Sequence, residues 1–231
     1  MLDTELTENN LTEIESGKRL FVKSYGLART TDGFLRTAIK RIMHRLKRPE
    51  LTQAVEVILR ELTMNAAKAN FKKIFFAEKG FNSNDPETYA LGMAEFRETM
   101  SEDMFATYGQ KAREADLNIL ITLDYDENRI ILEVRNNVPM SINEEKRARD
   151  KLRTAMQATD LAQLFVDNID ESEGAGLGLM LCLTTLRSSD IDPRMFSVAT
   201  DFKKETVARV EFPLNKEYVP ARKLWQEKMA V

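Results

Sequence analysis

A chain of 231 residues, 43% hydrophobic and 31% charged, is long enough for one substantial domain and has the balance of an ordinary globular protein. Its net charge of −3 gives no reason to expect nucleic acid or an anionic membrane as the main partner. The one cysteine excludes an intramolecular disulfide or a cysteine-rich zinc site, and no apolar run reaches the ~18 residues of a membrane span. The default expectation is therefore a reducing, cytoplasmic setting, and the polar, acidic start of the chain does not look like a secretory leader.

In chain order, residues 1–16 read as a polar tail or a weak first helix. Lys18 to Lys47 reads as helical, with Phe34, Ala38, Ile42 and Leu46 recurring every four residues under a basic outer face. Pro49 suits the first turn of a new helix. Leu51, Val55, Ile58, Leu59, Leu62 and Ala66 carry that helix to about Phe71. A turn-rich stretch at 80–86 precedes a helix from Glu87 to about Glu102, resuming toward Lys111. After Asp116 the period changes to two. Leu117, Ile119, Ile121 and Leu123, and then Ile130, Leu132 and Val134, predict an antiparallel hairpin across a turn at 124–128.

Residues 143–165 read as a charged helix, and Gly174 to Gly178 lead into another that ends near Arg187. Cys182 lies in its apolar run, as a buried inert thiol. Strands over Met195–Thr200 and Thr206–Phe212 close the pattern. The order predicts an α+β, two-layer sandwich: a mixed sheet with helices on one face, plus an N-terminal helical extension. The expected division is a tail and extension at 1–48, a domain at 49–214 with a helical insertion at about 80–116, and a tail at 215–231.

Three short constellations could carry chemistry. In Glu61-Leu62-Thr63-Met64-Asn65-Ala66-Ala67-Lys68, the helical repeat puts Glu61 and Asn65 one turn apart on one face, with Leu62 and Ala66 beside them. An asparagine oxygen can ligate a magnesium ion that also holds phosphates, a carboxylate one turn away can orient water, and Lys68 or Lys72 can meet phosphate charge. A helix with ordinary surface polar residues is the competing reading. In Glu173-Gly174-Ala175-Gly176-Leu177-Gly178-Leu179, three of the nine glycines let backbone N–H groups approach an anion at the start of a helix. Tight helix–strand turns also use glycine, and the lysine of a P-loop is absent. The third, Val134-Arg135-Asn136-Asn137-Val138-Pro139-Met140, is by itself a strand running into a turn.

Together the three resemble the GHKL superfamily of DNA gyrase, the ninety-kilodalton heat-shock chaperones, histidine kinases and the MutL mismatch-repair proteins. The resemblance runs from about Pro49 to Leu214. Glu61 to Lys68 match the N box, Glu-x-x-x-Asn-Ala, and Gly174 to Leu179 match the Gly-x-Gly-Leu-Gly-Leu box beside the ATP lid. Phe212-Pro213-Leu214 is similar to the end of the family's domain. The middle motif departs, since Asn136, Val138 and Met140 stand where the family has Asp-x-Gly-x-Gly.

The resemblance implies ATP or ADP with magnesium as cofactor. Asn65 would hold the metal, Lys68 would meet phosphate charge, and Asn136 would accept a hydrogen bond from the adenine amino group. Glu61 would be the base positioning water if hydrolysis occurs, and Gly174, Gly176 and Gly178 would surround the phosphates. The implied role is signalling or regulation through a protein partner of unstated identity, with a homodimer left open. The alternative is a degenerate member that serves as an interaction scaffold without nucleotide.

Two further signals are weaker. His44-Arg45-Leu46-Lys47-Arg48-Pro49 resembles the phosphorylation motif of histidine kinases, but Glu61 follows 17 residues later, which leaves no room for a second dimerisation helix. A helix-end histidine without phosphotransfer is the expectation. Met93, Phe96, Met100, Met104 and Phe105 form a stripe read as core rather than as a partner surface.

Overall fold

A computed structural model describes Ile14, Gly17 and residues 19–83, 85–99, 101–157 and 177–229. The architecture is α+β. Its sheet has five strands in the order β1-β2-β3-β5-β4: β1 (Leu20–Ser24), β2 (Ile119–Tyr125), β3 (Arg129–Asn136), β4 (Phe196–Thr200) and β5 (Thr206–Pro213). Every pairing is antiparallel, where a mixed sheet was expected. The physical reason is the connectivity: β2–β3 and β4–β5 are hairpins, and the new edge strand β1 runs against β2.

That edge strand is the main correction to the helical reading of 18–47. Leu20, Val22 and Ser24 point inward and are buried while Phe21 and Lys23 point out, a period of two across five residues. Helix α1 (Arg29–Arg45) begins only afterwards and buries Leu35, Ala38, Ile39, Ile42 and Met43.

One long helix, α2 (Thr52–Lys79), spans the inner face of the sheet and ends at Gly80, whose φ of 72° is the left-handed cap a glycine accepts without strain. A single turn of 3₁₀ helix at Pro49–Leu51 starts it, as proline at a first turn predicts. All six of the apolar positions expected to line this helix are buried. Each of the five larger side chains contributes about 1.5–3 kcal/mol by leaving water. The segment expected to be helical at about 80–116 is a helical pair, α3 (Pro86–Thr99) and α4 (Glu102–Glu114). Its aromatic residues pack on those of α2: Phe75 on Phe96 at 5.4 Å between ring centroids, Phe71 on Phe105 at 5.5 Å and Phe76 on Tyr89 at 5.7 Å. Of the Met/Phe stripe, Phe96 is buried and Met93 and Phe105 pack against the core, as expected; Met100 and the Met104 side chain lie outside the described residues.

Helices α5 (Ile142–Gln157) and α6 (Leu177–Ser188) complete the layer, and α7 (Ala221–Met229) follows the last strand. Among the described residues, no helix is long and apolar enough to cross a membrane. The other face of the sheet is open and ionic. Glu133 and Arg209 face each other across β3 and β5, Arg135 pairs with Glu133 at 2.7 Å, and Arg129 pairs with Asp124 at 3.2 Å.

Candidate functional site

Glu61, Asn65, Lys68 and Lys72 recur at i, i+4, i+7 and i+11 along α2, so they share one face. All four are half-buried, while Leu62, Ala66 and Phe71 beside them enter the core. Glu61, Asn65 and Lys68 make no hydrogen bond or ion pair among the described residues. Half-buried polar groups without a partner among the described residues are available to a ligand.

Helix α6 brings the glycine segment to this face. A Cβ placed on Gly178 would lie 2.6 Å from Glu61 Oε2 and 3.3 and 3.5 Å from the two amide atoms of Asn65. A side chain there would push both groups aside, so with glycine the first turn of α6 approaches Glu61 and Asn65 through bare backbone. This turn is the positive end of the helix and carries N–H groups with no partner inside the helix. The structure thus joins two of the three predicted boxes. Gly174 and Gly176 lie outside the described residues.

The same packing shows in Cys182, one turn further into α6. Burial pushes its thiol up from its ordinary range, and the Glu61 carboxylate adds to the shift. The sequence reading of an inert core thiol agrees with this.

Asn136 ends β3 on the inward face, opposite Thr206 of β5. Its side-chain NH2 donates to Asn70 Oδ1 and to the carbonyl of Val138, both at 3.2 Å. Asn70, on the buried side of α2, donates to the carbonyl of Leu117 at 2.9 Å, and the Thr206 hydroxyl donates to Val138 O at 2.8 Å. Val138 is itself buried, and the Met140 N–H donates to the Thr200 hydroxyl at 3.2 Å. Neither Asn70 nor Thr206 stands out in the sequence. A single asparagine in an apolar stretch has no periodicity of its own, and a threonine opening a strand is commonplace.

Lys72, paired with Lys68 in the sequence reading as a group to meet phosphate, has another occupation. Its ammonium donates to Glu144 of α5, and burial pulls it down to about 8, with the Arg147 guanidinium acting in the same direction. Glu144 also closes a capping box: its Oε2 accepts the Ser141 N–H at 2.8 Å while Ser141 Oγ accepts the Glu144 N–H at 3.3 Å. That pattern, Ser-x-x-Glu at 141–144, was the signal by which Glu144 could have been found. His44 is exposed in the last turn of α1 with Lys40, Arg41 and Arg45 around it.

Comparisons with known proteins give a relative but no family. No family model matches the chain, and no solved structure does. The chain is 30% identical over 220 residues to a protein of Treponema pallidum (strain Nichols) described as uncharacterized. The alignment takes in 94% of this chain and 42% of that protein, so the chain spans less than half the length of the curated relative it matches.

Proposed function

We propose that this chain is an ATP- or ADP-binding domain of the GHKL type with a signalling or regulatory role. One observation carries the reading: the bare backbone at Gly178 sits directly on Glu61 and Asn65. Close helix packing can also use a glycine here, but it leaves Glu61 and Asn65 without a partner among the described residues. A phosphate site uses both features, because the same glycine leaves helix N–H groups open to an anion.

Asn65 supplies an amide oxygen for magnesium, and Lys68 supplies a cation that no described protein group neutralises. Gly178, with Gly174 and Gly176 before it in the chain, would surround the phosphates. Asn136 would meet the adenine amino group, and a bound magnesium ion would neutralise phosphate charge. Glu61 is the one carboxylate among these residues, and in a hydrolysing enzyme it would position water. The regulatory part of the proposal includes a protein partner whose chemistry the site does not specify.

A second reading, a scaffold without nucleotide, is favoured by one observation. At the base side Val138 is buried where the family has glycine, and Asn136 is 4% exposed. Calorimetric titration with ATP and ADP, with and without magnesium, separates the two. We expect heat that depends on magnesium and a dependence that Asn65→Ala removes. No heat and no thermal shift at high nucleotide would leave the scaffold standing. Phosphate release by native protein, abolished in Glu61→Ala, would distinguish an ATPase from a binder.

A further inference from the structure

We infer that Asn70 locks the Asn136 side-chain amide in one orientation, so that the site accepts a hydrogen bond from a purine and selects a 6-amino base over a 6-oxo base. This rests on the nucleotide-binding reading above and adds to it a positioning residue and a base preference.

An asparagine is ambiguous as a recognition group, because turning the amide over exchanges a donor for an acceptor. Here two backbone carbonyls remove the ambiguity, since neither can turn. At one end, Leu117 O can only accept, so Asn70 must direct Nδ2 toward it, at 2.9 Å. That places Asn70 Oδ1 against Asn136, which must answer with Nδ2, at 3.2 Å. At the other end, Val138 O also accepts from Asn136 Nδ2, at 3.2 Å, and is held in place by the Thr206 hydroxyl. Reversing either amide would set oxygen against oxygen at one of these contacts.

Both Asn136 amide protons are therefore in use. Its Oδ1 takes no hydrogen bond from any described residue. Nor is Oδ1 sealed in: the buried side-chain atoms without partners among the described residues belong to Arg48, Glu56, Thr63 and Arg129. Asn70 is fully buried and Asn136 nearly so, which holds the relay in a water-poor setting where a mismatched acceptor pair is strongly disfavoured. The neutral asparagine thus presents an acceptor and no donor, as a carboxylate does. The amino group at position 6 of adenine donates to such an oxygen. The carbonyl at position 6 of hypoxanthine is an acceptor and faces it lone pair to lone pair.

The test is calorimetric titration of the full chain with ATP and with inosine triphosphate, both with magnesium, for the native protein, Asn70→Leu and Asn70→Asp. ATP is expected to bind roughly 10- to 100-fold more tightly than inosine triphosphate to the native protein. Asn70→Leu removes one of the two acceptors that hold Asn136, leaving Val138 O alone, and the preference should fall several-fold, toward about threefold. Asn70→Asp, titrated at a pH where the buried acid is protonated and its hydroxyl donates to Leu117 O, keeps an acceptor for Asn136 Nδ2 and should keep the preference. A merely structural role for Asn70 would weaken both nucleotides together and leave their ratio alone.

Binding of neither nucleotide to the native protein would overturn the nucleotide reading, and this inference with it. Equal binding of the two would overturn the inference while leaving that reading in place. A preference undiminished in Asn70→Leu, or lost in Asn70→Asp, would remove the role given to Asn70. Should Asn70→Leu fail to fold, Asn70→Ala removes the same acceptor without added bulk and takes its place in the comparison.

Discussion

The two ends of the candidate site treat their polar groups in opposite ways. At the proposed phosphate end Glu61, Asn65 and Lys68 are half-buried and have no partner among the described residues. At the proposed base end Asn70 and Asn136 are buried and joined to each other and to two backbone carbonyls. Charged and mobile ligands reward groups that are free to move onto them. A flat, neutral base rewards groups that are already fixed, because a hydrogen bond between neutral partners is weak and gains little from a donor or acceptor that must first be ordered. Lys72 lies beside the phosphate end but belongs with the fixed groups, since Glu144 holds it.

The largest expected effect comes from breaking that exception. Glu144→Ala would leave the Lys72 ammonium enclosed without its carboxylate and cost roughly 2–4 kcal/mol in urea unfolding. This is below the full cost of a buried charge because about a fifth of the Lys72 side chain, 20%, still meets solvent. The double change Lys72→Met with Glu144→Leu should recover most of the loss, as apolar replacements of enclosed ion pairs do. If Lys72 is structural, that double variant binds nucleotide like the native chain. Lys68→Ala, by contrast, weakens it about tenfold, the worth of one charge-assisted bond to phosphate. A double variant that binds as poorly as Lys68→Ala would move Lys72 to the ligand-facing group.

A second effect, smaller in stability but sharper in function, is expected at Gly178. The atoms that an added Cβ would meet are the far ends of the Glu61 and Asn65 side chains, which can swing aside. Alanine is also favoured over glycine in a helix by about 1 kcal/mol. Gly178→Ala should therefore melt within a few degrees of the native chain, or slightly above it, while displacing both side chains from the first turn of α6. Magnesium-dependent nucleotide heat should fall by tenfold or more. An unchanged titration would mean that the apposition of Gly178 with Glu61 and Asn65 is packing alone.

How much of this was legible in the sequence follows the same division. The free groups were legible: Glu61, Asn65 and Lys68 fall on one helical face by spacing alone, and the glycine cluster marks the start of α6. The strands after Asp116 also announced themselves by alternation, to within a residue or two. The fixed groups were not, because their partners are remote in sequence. Asn70 meets Asn136 across 66 residues, and Lys72 meets Glu144 across 72. No local pattern encodes such a pairing, which arises only when α2 is laid across the sheet. Strand β1 was a different failure. Leu20, Val22 and Ser24 alternate correctly, but five residues ahead of a strongly amphipathic helix are easily absorbed into it, and only the exposed edge of β2 gives them somewhere to pair.

The smallest effect is a pH dependence in which two groups of the site's surroundings oppose each other. Lys72 titrates at about 8 in the folded chain against 10.5 for an ordinary lysine, so between those values the unfolded chain holds more protons and stability rises with pH. The Cys182 thiol is pushed up by burial and by Glu61 from a usual value of 9.0. Above that value the unfolded thiol ionises while the folded one does not. The folded chain then holds more protons, and stability falls with pH. Each slope is at most about 1.4 kcal/mol per pH unit, so between pH 9 and 10 the native protein should be nearly level in urea midpoint. Cys182→Ala should expose the rise, and Lys72→Met with Glu144→Leu should expose the fall. Alkylation supplies an independent check, since native Cys182 should resist a thiol reagent at pH 9 and react in denaturant. Rapid labelling of the folded chain would mean that α6 opens away from Glu61, and the glycine turn would then be a moving part rather than a fixed floor to the phosphate site.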